Sequence, residues 1–230
     1  MKKIVMILFW FFVVFVIIAS FKELLIDDEG MQKSEANSPL ISSEVDVSSG
    51  GHVKVVIDPG HGGDDPGAIG ASGSYEKDFT LSLSNKIVEL LQTDPRLEVF
   101  MTREGDQFLS TETRERPMIA NDLGADLFIS IHANTYDTPT ITGTETFYYN
   151  DYSESLAAII HRHVVQATGY DDRGVKQANY FVLADTNMPA ILIEVGYLTN
   201  PEQEQEMLTD AFQQNVAEAI VEGINEYIEQ

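Results

Sequence analysis

His61, His132 and Glu194 are the residues of this sequence whose types and positions could do chemistry together. His61 follows the apolar run VKVVIDPG, His132 closes DLFISIH, and Glu194 lies inside AILIEVGYL. The chain has no cysteine, so disulfides and thiolate sites are excluded and a metal could be held only by imidazoles and carboxylates. A hydrolytic zinc site uses three protein ligands of that kind and leaves a fourth position for water. His61 and His132 supply two, and Glu76 is the carboxylate expected to complete the set. It stands at the N-terminal edge of a helix beginning near Lys77, after a Gly-rich loop that can fold back towards His61. Asp64 and Asp65, three and four residues beyond His61, are weaker candidates, because loop acids in so acidic a chain are usually only solvated. One Zn2+ per chain is the cofactor this pattern implies.

Every neighbour of Glu194 is apolar, and burying an unpaired carboxylate there costs several kcal/mol. A structural hydrogen bond or ion pair is the plain explanation. Beside a bound metal, the same group becomes a general base that takes a proton from water and returns it to a leaving nitrogen. Asp58, just before the His61 loop, either orients a ligand imidazole through its second nitrogen or caps the turn. His161 and His163 are two apart on a helix and point in different directions, so with His52 they read as surface residues.

The elements that must position these groups follow from periodicity. Val53 to Ile57 reads as a buried strand running into a turn. Phe79, Leu83, Ile87, Leu90 and Leu91 recur at helical spacing until Asp94-Pro95 stops them. Strands are expected at 97–102, 126–132, 144–149, 180–183 and 190–195, and helices at 112–123 and 154–168, the latter capped by Ser153. A last helix carries Phe212, Val216, Ala219, Ile220, Tyr227 and Ile228 on one face. Alternation of this kind predicts an α/β single domain over residues 53–230, a mostly parallel twisted sheet with helices on both faces. In such sheets ligands bind at the C-terminal ends of the strands, where all three chemical residues fall.

Ahead of that domain, Lys2 and Lys3 precede an unbroken apolar run from Ile4 to Ala19. Residues 1–26 therefore read as an export signal retained as a transmembrane anchor, since no small-x-small cleavage site follows. The lysines would stay in the cytoplasm, which places the rest on the extracytoplasmic face of the membrane. Residues 27–52 are polar and read as a disordered stalk. The net charge of −23, from 14 Lys+Arg against 37 Asp+Glu, argues against nucleic acid and against electrostatic attachment to an anionic membrane.

Taken together, the segments IDPGHGGDDPGAIG, YEKDFTLSLS, MTREGD, IANDLGADLFISIHAN, GTETFYY, DRGVKQANYFVL and MPAILIEVGYLTN resemble, in the same order, the zinc-dependent N-acetylmuramoyl-L-alanine amidases of bacterial walls. The resemblance runs from Val53 to the C-terminus. It implies His61, Glu76 and His132 as zinc ligands, Glu194 as the catalytic acid/base, and peptidoglycan as substrate, cut between N-acetylmuramic acid and L-alanine. Residues alone reach only metal-assisted hydrolysis, with a zinc carboxypeptidase on the stem peptide or an inactive wall-binding module as alternatives. The stretch STETRERPMIAN is about two residues longer than the family pattern, so neither Arg114 nor Arg116 receives a role. Some members carry an extra helix over the zinc cleft between the segments matching GTETFYY and DRGVKQANYFVL. Asn150 to Asp171 leaves room for one helix only, so no obligate activator is expected.

Overall fold

Val53–Pro59 (β1), Leu127–Asn134 (β3) and Ala190–Tyr197 (β6) bury almost every side chain they carry. Strands rich in Val, Ile and Leu on both faces must be covered on both sides, and these three lie side by side in the middle of the sheet. The computed structural model describes residues 51–230. Between and after the central strands come Glu76–Leu91 (α1), Leu97–Met101 (β2), Glu115–Leu123 (α2), Thr144–Tyr148 (β4), Glu154–Thr168 (α3), Asp172–Gln177 (β5), Phe181–Ala184 (α4), Pro201–Met207 (α5) and Asp210–Ile228 (α6). The six strands are ordered β2-β1-β3-β6-β4-β5. All neighbours are parallel except β4, which runs against β6.

Alternation along the strands divides the side chains between two layers. Val55, Ile57, Ile129, Ile131, Ile191 and Ile193 meet the apolar faces of α1, α3 and α6 in the larger core. The other face holds a smaller core, where Val56, Phe128 and Leu192 pack on Ala120 of α2 and on Val182 and Leu183 of α4. That second core is short because polar residues take over at the C-terminal end of the same face. Asp58, Ser130, His132 and Glu194 stand there, with Asp58 opposite Ser130 and His132 opposite Glu194.

Three expectations change. Residues 180–183 form no strand: Phe181–Ala184 is one turn of helix, and the missing strand is Asp172–Gln177. As an edge strand with both faces largely exposed, DRGVKQ has no apolar alternation to betray it, whereas the Phe-Val-Leu cluster imitates a strand by composition. Helix α2 starts at Glu115 rather than residue 112, and Pro117 sits in its first turn, where a backbone N–H would have no helical partner. Ser153 does not cap α3; it closes a 3₁₀ turn, and its Oγ accepts from the Ala190 N–H at 3.1 Å. The expected anchor and nearly all of the stalk lie outside the described residues. Among the described residues no helix is long and apolar enough to cross a membrane.

Candidate metal centre

The chain leaves β1 through Asp58-Pro59-Gly60-His61, and the turn is tight enough to put His61 at a φ of 60°. A side chain at Gly60 has no room, because a Cβ there would lie 2.4 Å from the His132 ring. The imidazoles of His61 and His132 meet edge to face with centroids 4.9 Å apart. Glu76, the first residue of α1, inserts its carboxylate between them. Its Oε2 lies 3.1 Å from His61 Nε2 and its Oε1 2.9 Å from His132 Nδ1. One donor atom from each residue falls within 4.8 Å of the others, so the three could hold a metal ion.

Backbone geometry fixes the carboxylate: the N–H groups of Ala68 and Ala133 donate to Oε2 and Oε1 at 2.8 and 3.0 Å. Burial by itself would push the Glu76 carboxyl up, but hydrogen bonds from His132 and His61 outweigh it and hold the group well below the usual carboxylate range. The carboxylate is therefore an anion at any physiological pH, as a metal ligand must be. Gly67 encloses the same space, since a Cβ at its φ of 67° would come within 2.6 Å of both Glu76 Oε2 and the His61 ring. Gly60→Ala is accordingly expected to lower metal occupancy at least tenfold while leaving the fold intact, measured by elemental analysis beside circular dichroism. Wild-type metal content in that variant would mean that the His132 ring has room to move.

Asp65 is no ligand. Its Oδ2 sits 2.9 Å from His61 Nδ1, which leaves Nε2 as the nitrogen aimed at Glu76. This is the orienting role weighed for Asp58, and it falls to the neighbour with i,i+4 spacing. Asp58 neither orients an imidazole nor caps the turn. Fully buried, it accepts from Arg116 Nη1, Thr102 Oγ1 and Ser130 Oγ at 2.7, 2.5 and 2.7 Å. Burial raises its carboxyl, and the Arg116 guanidinium leads the interactions that bring it below the ordinary value.

Arg116 also donates to the carbonyls of Pro59 and His61, and Arg103 donates to those of Pro59 and Gly60. Two buried guanidiniums thus hold the three successive carbonyls that carry His61 to its place. Sequence reasoning assigned neither; the only signal was an arginine inside a segment otherwise headed for the core. Arg114, at the surface, approaches Asp185 at 3.4 Å and has no part in this. Glu204 of α5 was missed as well, although its carboxylate gathers Ser72 and Ser74 of the loop preceding Glu76.

Across from His132, Glu194 lies on the same face of the sheet with its Oε2 buried and without a hydrogen-bond partner among the described residues. Burial, then the negative charges of Glu76 and Glu145, push its carboxyl well above the usual range. A cavity of about 250 Å³ opens onto His61, His132 and Glu194, walled by Tyr180, Phe181 and Leu192. Of the remaining histidines, His161 departs from the surface reading. It is buried, with Nδ1 3.0 Å from Thr146 Oγ1 and Nε2 2.8 Å from Asp172, tying α3 to β4 and β5. His163 pairs with Glu226.

Two imidazoles and an anionic carboxylate that could hold a metal ion, at the C-terminal edge of a mostly parallel sheet with a buried carboxyl opposite, make an arrangement suited to hydrolysis. Residues 55–226 match the N-acetylmuramoyl-L-alanine amidase family, and the chain belongs to it. The catalytic domain of CwlV, an N-acetylmuramoyl-L-alanine amidase from Bacillus (Paenibacillus) polymyxa var. colistinus, is 42% identical and superposes with a TM-score of 0.75, covering 77% of this chain and 98% of that one. The CwlD amidase of Clostridioides difficile, solved in complex with the GerS lipoprotein, is 30% identical with a TM-score of 0.73, over 77% and 99%. A probable cell wall amidase, LytH of Staphylococcus epidermidis, is 35% identical over 75% of this chain but only 57% of its own length, so this chain spans little more than half of that relative.

Proposed function

We propose that this chain is a zinc amidase that cleaves peptidoglycan between N-acetylmuramic acid and the L-alanine of the stem peptide, with His61, Glu76 and His132 as ligands and Glu194 as the acid/base. The observation that carries the reading is the convergence of two imidazoles and one buried carboxylate within 4.8 Å, beside a carboxyl on the neighbouring strand whose Oε2 has no partner among the described residues. The donor set suits zinc: two nitrogens and one oxygen, no thiolate, and a cavity on the open side. A zinc ion held there would acidify a water molecule and polarise the scissile carbonyl.

The chain's own residues do the rest. Asp65 keeps His61 in one tautomer, and the Ala68 and Ala133 N–H groups keep Glu76 from swinging away. The Glu194 carboxylate takes a proton from the attacking water and hands it to the departing L-alanyl nitrogen. Tyr180, Phe181 and Leu192 line the cavity beside that transfer.

Residues 1–26 serve in this reading as a membrane anchor and 27–52 as a stalk, which confine the enzyme to the extracytoplasmic face of the membrane and the adjoining wall. No obligate activator is proposed. Although CwlD was solved with a lipoprotein, residues 150–171 here hold only the 3₁₀ turn and α3, and α3 packs on the face of the sheet opposite the cluster. The test is mass spectrometry of purified peptidoglycan digested by the protein alone, with and without a chelator. New L-alanine amino termini on intact glycan strands, lost with the chelator and in His132→Ala together with the zinc, are expected. Shortened stem peptides still attached to muramic acid would identify a carboxypeptidase instead, and an unchanged digest would identify a binding module.

A further inference from the structure

The row of side chains that begins at the metal cluster does not end at Glu194. On the next strand outward, Glu145 of β4 is paired in register with Glu194, and on the strand beyond it β5 brings Arg173 and Lys176 to the same carboxylate. Glu145 is buried; Arg173 binds its Oε1, Lys176 lies 3.1 Å from its Oε2, and the Tyr197 hydroxyl donates to Oε1 at 2.8 Å. Two cations share one carboxylate, and Asp171 adds a second negative charge near Arg173. In a chain of net charge −23, two half-exposed cations side by side on the face that carries His132 and Glu194 are a feature to be explained.

Arg173 engages Glu145 through Nε alone, and its Nη1 and Nη2 meet no acceptor among the described residues. Its guanidinium lies over the Tyr197 ring, 5.5 Å from the centroid, and the Lys176 ammonium lies 5.9 Å from the Phe147 ring centroid, both within the reach of about 6 Å at which such contacts attract. Both side chains are about two-fifths exposed, at 37% and 42%. Glu145 and the two rings therefore preset the cations without covering them, and the free edge of the guanidinium is the geometry that grips a carboxylate with two parallel hydrogen bonds. Strands lie about 4.8 Å apart, so β5 is roughly 14 Å along the sheet from the His132 strand, and Glu145 of β4, to which both cations reach back, roughly 10 Å. An extended peptide rises about 3.3 Å per residue, so the shorter of these distances is about three residues from the scissile amide.

We propose that Arg173 and Lys176 form a subsite for a free carboxylate in the first two or three residues of the leaving peptide, and that this corner selects acidic over amidated stem peptides. The inference rests on the amidase reading above. Its test uses the full chain and N-acetylmuramoyl-L-alanyl-D-glutamate, with both carboxylates free or both amidated. Two quantities are read: kcat/KM for cleavage of the muramoyl amide, and the calorimetric Kd of the corresponding free peptide, acid against diamide. The wild type is expected to prefer the acid by roughly tenfold to a hundredfold in both, the range for charge-assisted hydrogen bonds. Arg173→Gln should bring the ratio close to one, Lys176→Gln should reduce it, and Arg173→Lys should restore part of it, a charge-dependent pattern that a merely structural role would not produce. Cleavage with equal preference for acid and diamide overturns the subsite and leaves the amidase standing. Binding that discriminates through Arg173 without cleavage of the muramoyl amide keeps the subsite and overturns the amidase.

Discussion

Glu194→Gln is expected to lower kcat by about two to four orders of magnitude while one zinc per chain stays bound. The substitution keeps the side chain's shape and removes only its capacity to take up a proton. The three candidate ligands are held by other parts of the molecule: Glu76 by the Ala68 and Ala133 N–H groups, His61 by Asp65, and the His61 loop by Arg103 and Arg116. None of these bonds involves Glu194, so metal and turnover should separate. Steady-state rates on a muramoyl peptide, read beside elemental analysis of the same preparation, decide it. A near-normal rate would assign the proton transfer to another group, and lost zinc would move Glu194 into the ligand set.

Removal of the charge beneath the site is expected to act on stability instead. Asp58→Asn leaves Arg116 buried against carbonyls with no anion, and breaking such a pair typically costs about 3–5 kcal/mol. For a domain of this size that is a fall in Tm of roughly 6–20 °C. The pH dependence follows from the direction of the shift. The Asp58 carboxyl lies below its ordinary value of 3.8 in the folded protein, so the unfolded chain takes up its proton first. Its contribution is present in full above the unfolded value and is lost as pH falls through the folded one. Thermal melts should therefore show a constant gap between wild type and variant from about pH 8 to pH 5, closing only in more acid solution. A gap that instead widens towards acid pH would mean that the folded protein binds the Asp58 proton more tightly than the unfolded chain, against the ion pair with Arg116.

The parts of this molecule legible in its sequence are those where one physical requirement dominates a short stretch. Strands covered on both sides must be apolar throughout, and VKVVIDP, LFISIHAN and AILIEVGY announce themselves on that ground. A histidine or glutamate at the end of such a strand is costly unless it is used, which singles out His61, His132 and Glu194 without any coordinates. Glu76 was legible for a weaker reason, its place at the start of α1. The polar strand β5 was not, because an edge strand is held by backbone hydrogen bonds to β4 and needs no apolar pattern.

What only the tertiary structure decided is which polar groups meet across long separations in the chain. Local spacing bounds what a residue can touch within a few positions, and even there it set Asp65 aside as a solvated loop acid and left Asp58 ambiguous. It has no access to Arg116 reaching back to Asp58, to Glu204 holding Ser72 and Ser74, or to Arg173 meeting Glu145 on an adjoining strand. Those contacts depend on sheet order and on the packing of helices over it, so side chains that look like ordinary solvated charges in one dimension become fixed parts of the fold in three.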